Sequence, residues 1–459
     1  MPSTLNFNGF VTLMEQKCPY HFDGSALLIY ITNEMSLSLL WTKVKEGEFS
    51  LSQRKPLPVS ALKGTILGEF SQIHFFFNPV SYGYHTKGIL NEKCVLELSI
   101  PKYSILNEAT TQKKKTLYFC SNQFHRFLGM IPNNHVNTNR DSATLQADIR
   151  YSIEEVALSA RFVLDGHSLI LHPDYSCSWG GPTFVFKPMM DIEIEGEIDE
   201  NFLWRLYFDF DEFIHFAFFR TNIHADTCYF AGDEVKIDFI ANWSPFEEEG
   251  PESMDQFCHD AIPWTTLYKH AGELLTLIDQ KQLHLAHIGA KKDARHWMNL
   301  NTASMDGAAF EQSFDALYPQ GFPHSEERLA AEKRVQEKIE PLEEKAVGKE
   351  KDIYKGFLKH VRMETLSDKI EYALSQFAHC LEPIQRRTDL PDSTAEKIAQ
   401  VCAGLRNHVD HGSTSEVLTE RDADCFALLR ALIYALQLKR VGYDENDIKT
   451  SICSIFNVD

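Results

Sequence analysis

The sequence predicts an α+β protein of several domains, a β-rich N-terminal part followed by an all-α bundle, and three observations carry that reading. Apolar and polar residues alternate at Ala26 to Leu40, Val95 to Ile100 and Val235 to Phe239, the period of half-buried strands. From Ile353 onward apolar residues recur at spacings of three and four, the period of a helix that buries one face. Between the two regimes, Ser244 to Ser253 combines charge with breakers in Pro245, Glu247-Glu248-Glu249-Gly250 and Pro251. A chain of 459 residues has length for two to four domains, each with its own core. The expected division is 1–245, β-rich; 246–345, a helical intermediate region; and 346–459, the helical bundle.

In the first region Asp165-Gly166 and Gly180-Gly181-Pro182 punctuate the strands as turns. Its dense aromatics, among them Phe75, Phe76, Phe77, Phe208, Phe210, Phe213, Phe216, Phe218 and Phe219, read as core. Ile262 to Leu317 turns helical through Leu267, Leu274, Leu275, Ile278, Leu283, Leu285 and Ile288. Glu326 to Glu350, charge-rich around Pro341, reads as a solvated helical connector. Ile353 to Arg387 then carries Ile353, Phe357, Leu358, Val361, Leu366, Ile370, Leu374, Phe377 and Leu381 at helical intervals, as one or two amphipathic helices. Asp422 to Leu438 repeats that pattern, Val441-Gly442-Tyr443 ends it, and a last short helix runs through Ile448, Ile452 and Ile455. Short loops make an up-and-down bundle the expected product.

Composition narrows the function classes. The chain holds 45 basic and 65 acidic residues for a net charge of −20, with 15 and 18 of them from Ala346 on, so the acidic excess lies in the N-terminal part. An acidic body disfavours indiscriminate coating of nucleic acid and favours a structured substrate gripped at a few points. The longest apolar stretches, such as Ile73 to Phe77 and Phe216 to Phe219, are far too short to span a bilayer. Met1-Pro2-Ser3-Thr4 has no signal-peptide character, so a cytoplasmic chain with no membrane contact is expected. Ten cysteines without paired spacing suit reduced thiols. Cys18-Pro19-Tyr20-His21 and Cys258-His259 stand alone, without the second pair of a zinc site, and no phosphate-cradling glycine loop occurs; neither metal nor cofactor is expected. Lys291, Lys292, Arg295 and His296 form a basic cluster that reads as a solvated face.

The chemistry-bearing stretch is Arg406-Asn407-His408-Val409-Asp410-His411-Gly412. Ser393 and Glu396 form a capping box after Pro391 and Asp392 that starts its helix, Ile398, Val401, Cys402, Leu405 and Val409 supply the apolar stripe, and Gly412 ends it. Arg406 and His411 lie roughly 140° apart around that helix, so one copy aims them at a shared point only imperfectly. Two copies related by a two-fold axis would bring two Arg406 and two His411 into one cleft. Histidine can take the proton of an RNA 2′-hydroxyl or supply one to the departing 5′-oxygen, and arginine clamps phosphate in a fork. Asn407 would orient the phosphate, with His408 beside it. Arg386, Arg387 and Arg430, with Lys439 and Arg440, could give a locally positive cleft. The plainer alternative is an i,i+4 ion pair of Arg406 with Asp410 on a solvated face.

Arginine, a small polar residue, and histidine four intervening residues after the arginine resemble the signature of HEPN-type ribonucleases. A long helix, the motif helix and a further apolar helix ending near a glycine are similar to the HEPN domain of the ApeA-like antiphage proteins, over roughly the last 110 residues. That resemblance implies a metal-independent endoribonuclease leaving 2′,3′-cyclic phosphate and 5′-hydroxyl ends, with Arg406, His411 and Asn407 catalytic and His408, Arg386, Arg387 and Arg430 on the RNA. It implies a homodimer with a composite site, a β-rich sensor domain ahead of the bundle, a phage-derived trigger, and antiphage defence by abortive infection with transfer RNA as one target. Two alternatives stay open, a non-catalytic HEPN-like dimerisation or RNA-binding module, and a ligand-binding β-domain with a helical scaffold.

Overall fold

The computed structural model describes residues 6–13, 16–31, 61–68, 71–76, 82–84, 94–108, 115–121, 123–128, 133–141, 144–152, 158–180, 183–232, 235–241, 260–291, 294, 298–324, 326–361, 363–388, 390, 394–410 and 418–458. An N-terminal antiparallel sheet is followed by a mainly helical C-terminal region. The strands are β1 (Phe7–Leu13), β2 (Gln16–Phe22), β3 (Ala26–Ile31), β4 (Ala61–Ile66), β5 (Gln72–Phe76), β6 (Tyr82–Tyr84), β7 (Cys94–Ser99), β8 (Lys102–Glu108), β9 (Thr116–Cys120), β10 (Asn133–Asp141), β11 (Thr144–Ser152), β12 (Ala160–Leu164), β13 (His167–Gly180), β14 (Thr183–Ile194), β15 (Thr227–Gly232) and β16 (Val235–Ala241). The helices are α1 (Phe124–Leu128), α2 (Glu200–Phe218), α3 (Trp264–Leu267), α4 (Ala271–Asp279), α5 (Leu300–Leu317), α6 (Glu326–Lys345), α7 (Lys349–Val361), α8 (Leu366–Gln376), α9 (Ala378–Arg387), α10 (Ala395–Asp410), α11 (Glu420–Val441) and α12 (Glu445–Phe456).

The chain packs as two units. The first holds Met1–His125, Met130–Phe208 and His224–Pro251, and the second holds Arg126–Gly129, Asp209–Ile223 and Glu252–Asp459. The division therefore falls inside α2. The expected boundary at residue 346 lies within the second unit, between α6 and α7, which pack on each other, so the regions 246–345 and 346–459 are not separate bodies.

In the first unit, fourteen strands among the described residues form one antiparallel sheet in the order β12-β13-β14-β9-β15-β16-β8-β5-β4-β1-β2-β3-β7-β6, with β10 and β11 as a separate hairpin. Only Ile100 and Pro101 separate β7 from β8, so one bent strand pairs with β3 at one end and β5 at the other. The ladder β1, β2, β3, β7/β8, β5, β4 thereby returns to β1 and closes a ring. Val11, Phe22, Leu27, Ile29, Ile73 and Phe75 form part of its core, every second residue along each strand. Gly9 permits the β1–β4 approach, because a Cβ there would stand 1.7 Å from the Thr65 carbonyl oxygen. The expected Asp165-Gly166 turn joins β12 to β13 with both residues at positive φ, 50° and 82°. Within the expected strand Ala26 to Leu40, Ala26–Ile31 form β3; residues 32–40 and the linker 244–253 lie outside the described residues, as do Gly181 and Pro182.

The aromatic run that begins at Phe208 belongs to a helix rather than to strands. Asp199 caps α2, its Oδ1 accepting from the Phe202 N–H at 2.7 Å. Trp204 and Tyr207 pack on the sheet against Phe239 and Phe119. Glu200 pins the helix start, receiving His74 Nδ1 at 2.6 Å and the hydroxyl of Ser104. Burial alone would raise the Glu200 carboxyl, but those two hydrogen bonds, together with the charges of His74 and Lys63, outweigh it and hold it below its ordinary range.

In the second unit α11 is the central rod. Every residue from Cys425 to Leu438 is buried, so this helix is enclosed on all faces rather than amphipathic. It packs against α5, α10, α9 and α12. Capping boxes at Thr365 and Thr419 start α8 and α11. Gly442, at φ 117°, ends α11 with its N–H and that of Tyr443 returned to Leu438. Three departures from expectation follow from packing. Leu283, Leu285 and Ile288 fall in the irregular segment between α4 and α5. Among the described residues Ile353 to Arg387 is three helices, α7, α8 and α9, with residues 363–365 and Phe377 outside them. Ile353 and Phe357, expected in the core, are exposed. By contrast α6 has no buried residue, as a solvated connector should.

Candidate functional site

The motif helix α10 is seated by its apolar stripe. Ile398, Ala399, Cys402 and Leu405 are buried, and the Cys402 thiol donates toward the Cys425 carbonyl of α11 at 3.7 Å. Burial pushes that thiol well above its ordinary range, so it packs as an inert apolar group. At the N-terminus Thr394 Oγ1 accepts from the Lys397 N–H at 3.4 Å, while Ser393 of the expected capping box lies outside the described residues.

One turn past Cys402, Arg406 lies across α5. Its Nη2 is 3.0 Å from Glu311 Oε2, and its Nη1 is 3.4 Å from Asn407 Oδ1. Gly307, one turn before Glu311 on α5, makes room: a Cβ there would stand 2.7 Å from Arg406 Cγ. The arginine and Glu311 side chains are 29% and 34% exposed, so the pair is half-solvated, and Asn407 is exposed beside it. α10 continues to Asp410; the side chains of His408, Val409 and Asp410, and the whole of His411 and Gly412, lie outside the described residues. The structure therefore joins Arg406 to Asn407 and adds Glu311, from 95 residues away.

The other arginines expected on RNA have different settings. Arg430 is a correction: it is 3% exposed, with Nε 2.8 Å from Asp306 Oδ2 and Nη1 3.0 Å from the Ala294 carbonyl oxygen. A buried guanidinium held by a buried carboxylate ties α11 to α5 and has no surface to offer a phosphate. Arg387 is exposed and donates to the Phe456 and Asn457 carbonyl oxygens at 2.9 and 2.6 Å, capping the end of α12. It also borders a cavity of about 120 Å³ with Thr388, Asp424 and Phe456. Arg386 is exposed and paired with Glu382 one turn back. Arg440 donates to the Gln282 carbonyl and side chain. Of the basic cluster near Lys291, residues 292 and 295–296 lie outside the described residues.

Glu311, Gly307 and Asp306 are what sequence reasoning missed. α5 was read only as part of a helical stretch, yet Asp306 stands among Ala303, Ala309, Phe310 and Phe314, all fully buried. An acid inside an apolar face demands a cation, and that was the available signal.

In the first unit Cys18 is a buried thiol, and His21 Nδ1 lies 2.9 Å from Asn8 Oδ1. No helix among the described residues is long and apolar enough to cross a membrane. Comparison with protein-family models, with curated proteins and with solved structures finds no match.

Proposed function

We propose that the chain is a metal-independent endoribonuclease of the HEPN kind, working in the cytoplasm as an even-numbered assembly in which paired copies share a cleft. The observation that carries this reading is the half-exposed Arg406 with Asn407 at its side near the C-terminal end of α10, one turn before the position of His411. A guanidinium that is held but not buried can trade its carboxylate for a phosphate oxygen, which is what a phosphate clamp requires. His411, the next residue in sequence after Asp410, would meet the negative end of the helix dipole if it stays close to that end, which would suit it to protonate the departing 5′-oxygen. In a paired arrangement the second copy's His411 would take the 2′-hydroxyl proton, and cleavage would leave a 2′,3′-cyclic phosphate and a 5′-hydroxyl.

The role in antiphage defence, the phage-derived trigger sensed by the β-rich unit and transfer RNA as target are carried by the family resemblance. The test is sequencing of RNA ends bearing 2′,3′-cyclic phosphates from phage-infected bacteria that express wild type or His411→Ala. Ends present only with wild type support the reading. Coincident end profiles would refute it and return attention to the β-rich unit as a ligand-binding module.

A further inference from the structure

Seven of the thirteen large apolar side chains exposed among the described residues lie between positions 329 and 363: Leu329, Val335, Leu342, Val347, Ile353, Phe357 and Met363. They belong to the α6–α7 hairpin and its base. α6 runs 20 residues with none buried, and α7 buries Leu358 alone. Helices of such length are marginal in water unless a packed face supports them, so this hairpin lacks the core that its own regularity calls for. Ile353 and Phe357 share one face of α7 at i,i+4, and Val335 and Leu342 share one face of α6 at i,i+7. The base, in contrast, is fixed: Arg328 of α6 reaches Glu332 at 2.8 Å and Asp368 of α8 at 2.9 Å, and His324 lies between Glu332 and Glu364.

Charge selects what covers the arm. α6 carries seven acidic and five basic residues, and α7 carries two acidic and four basic, so one helix is net −2 and the other net +2 in a chain of net −20. A two-fold axis that lays α6 of one copy along α7 of the other matches opposite signs twice over, whereas a generic acidic partner or a nucleic acid would meet one helix of the wrong sign. A hairpin ~30 Å long and ~20 Å wide offers on the order of 600 Å² per copy, close to the ~800 Å² per partner of a standard interface.

We propose that the α6–α7 hairpin is a self-association arm that pairs with the same hairpin of a second copy as an antiparallel four-helix bundle. This rests on the paired-copy part of the ribonuclease reading for its purpose and deepens it, yet its test involves no RNA, so either can fail alone. The experiment is sedimentation velocity of the full chain at tens of micromolar. Wild type is expected as a dimer or larger even assembly, and Ile353→Glu with Phe357→Glu is expected to halve the mass with unchanged circular dichroism, since both positions are exposed. Two charge variants identify the occupant. Lys355→Glu with Lys359→Glu makes both helices acidic, and Glu337→Lys with Glu344→Lys makes both basic; each alone should lose self-association, and an equimolar mixture of the two should recover it. A monomeric wild type, an assembly untouched by the Ile353 and Phe357 changes, or a mixture that stays dissociated overturns the proposal.

Discussion

Replacing Arg430 with methionine separates architecture from RNA contact, and its cost can be worked from the site. The change leaves Asp306, 1% exposed, without the one cation bonded to it; its other carboxylate oxygen already lacks a partner. Burial already pushes Asp306 up to about 7 even with the guanidinium beside it. With the arginine gone, the least costly response is to bind a proton. Wild type at pH 7 already bears the cost of that raised carboxyl, so the mutational loss is that of breaking a buried pair, ~3–5 kcal/mol. The lost donor to Ala294 adds about 1 kcal/mol. Urea unfolding followed by far-ultraviolet circular dichroism should therefore show Arg430→Met destabilised by ~4–5 kcal/mol at pH 7, a fall of about 10 °C in melting temperature. Without the guanidinium Asp306 rises above about 7, so the loss should be nearly level from pH 5 to 7 and grow as pH rises beyond 7, by up to ~1.4 kcal/mol per pH unit. Asp306→Leu with Arg430→Met should return to within about 1–2 kcal/mol of wild type, because apolar residues replace a pair that gained little net. A loss that does not grow above pH 7, or single losses that simply add, would refute the account. RNA affinity measured below the melting temperature should be unchanged, whereas a phosphate contact would show as a lost charge in the salt dependence.

Other expectations follow from single sites. Burial first, then the charge and hydrogen bond of Asp174, push Asp191 up to about 8. The folded state then keeps a proton that the unfolded chain sheds above pH ~4, so the stability this group contributes is complete below that value and is lost as pH rises through about 8. Asp191→Asn should flatten the decline of unfolding free energy between pH 5 and 8.5 by ~2–5 kcal/mol, measured in urea. Gly442→Ala places a Cβ at φ 117° and 3.2 Å from the His270 ring; a loss of ~1–2 kcal/mol is expected by thermal unfolding. Glu311→Gln should change stability by less than ~1 kcal/mol, because its pair with Arg406 is half-solvated. On the ribonuclease reading it should also strengthen binding of a short single-stranded RNA a few-fold by fluorescence anisotropy, while Gly307→Ala, which crowds the Arg406 stem, should weaken it; no shift in either variant would count against Arg406 as a phosphate clamp.

What the sequence exposed and what it hid divide along the range of the interaction. β16 and the Asp165-Gly166 hairpin were legible because period and turn chemistry are local, and α6 was legible because a helix with no buried residue shows only charge. α2 was hidden by composition: Asn201, Arg205, Glu212 and His215 mark one face at helical spacing, but Phe210, Phe213, Ile214, Phe216 and Ala217, all buried, crowd the rest, and such phenylalanines resemble strand formers. Ile353 and Phe357 had the right spacing for a helix, but spacing does not say which surface covers that face. Arg406 with Asn407 was legible as neighbours, while Glu311 and Asp306 act across 95 and 124 residues and leave no local trace.

The two arginines that meet α5 show why residue type could not decide their roles. Asp306, Gly307 and Glu311 form one short stretch of that helix, and each carboxylate takes an arginine from a different neighbour. At Asp306 both groups are almost wholly buried, and parting them leaves a charge in a medium that cannot solvate it, at ~3–5 kcal/mol. At Glu311 both groups keep about a third of their surface in water, and parting them costs ~0–1 kcal/mol. An incoming phosphate can repay the second cost with a single charge-assisted hydrogen bond of about 2 kcal/mol, but not the first. Exchangeability, set by burial of the carboxylate rather than by the arginine, is what makes Arg406 a candidate for chemistry and Arg430 a part of the frame.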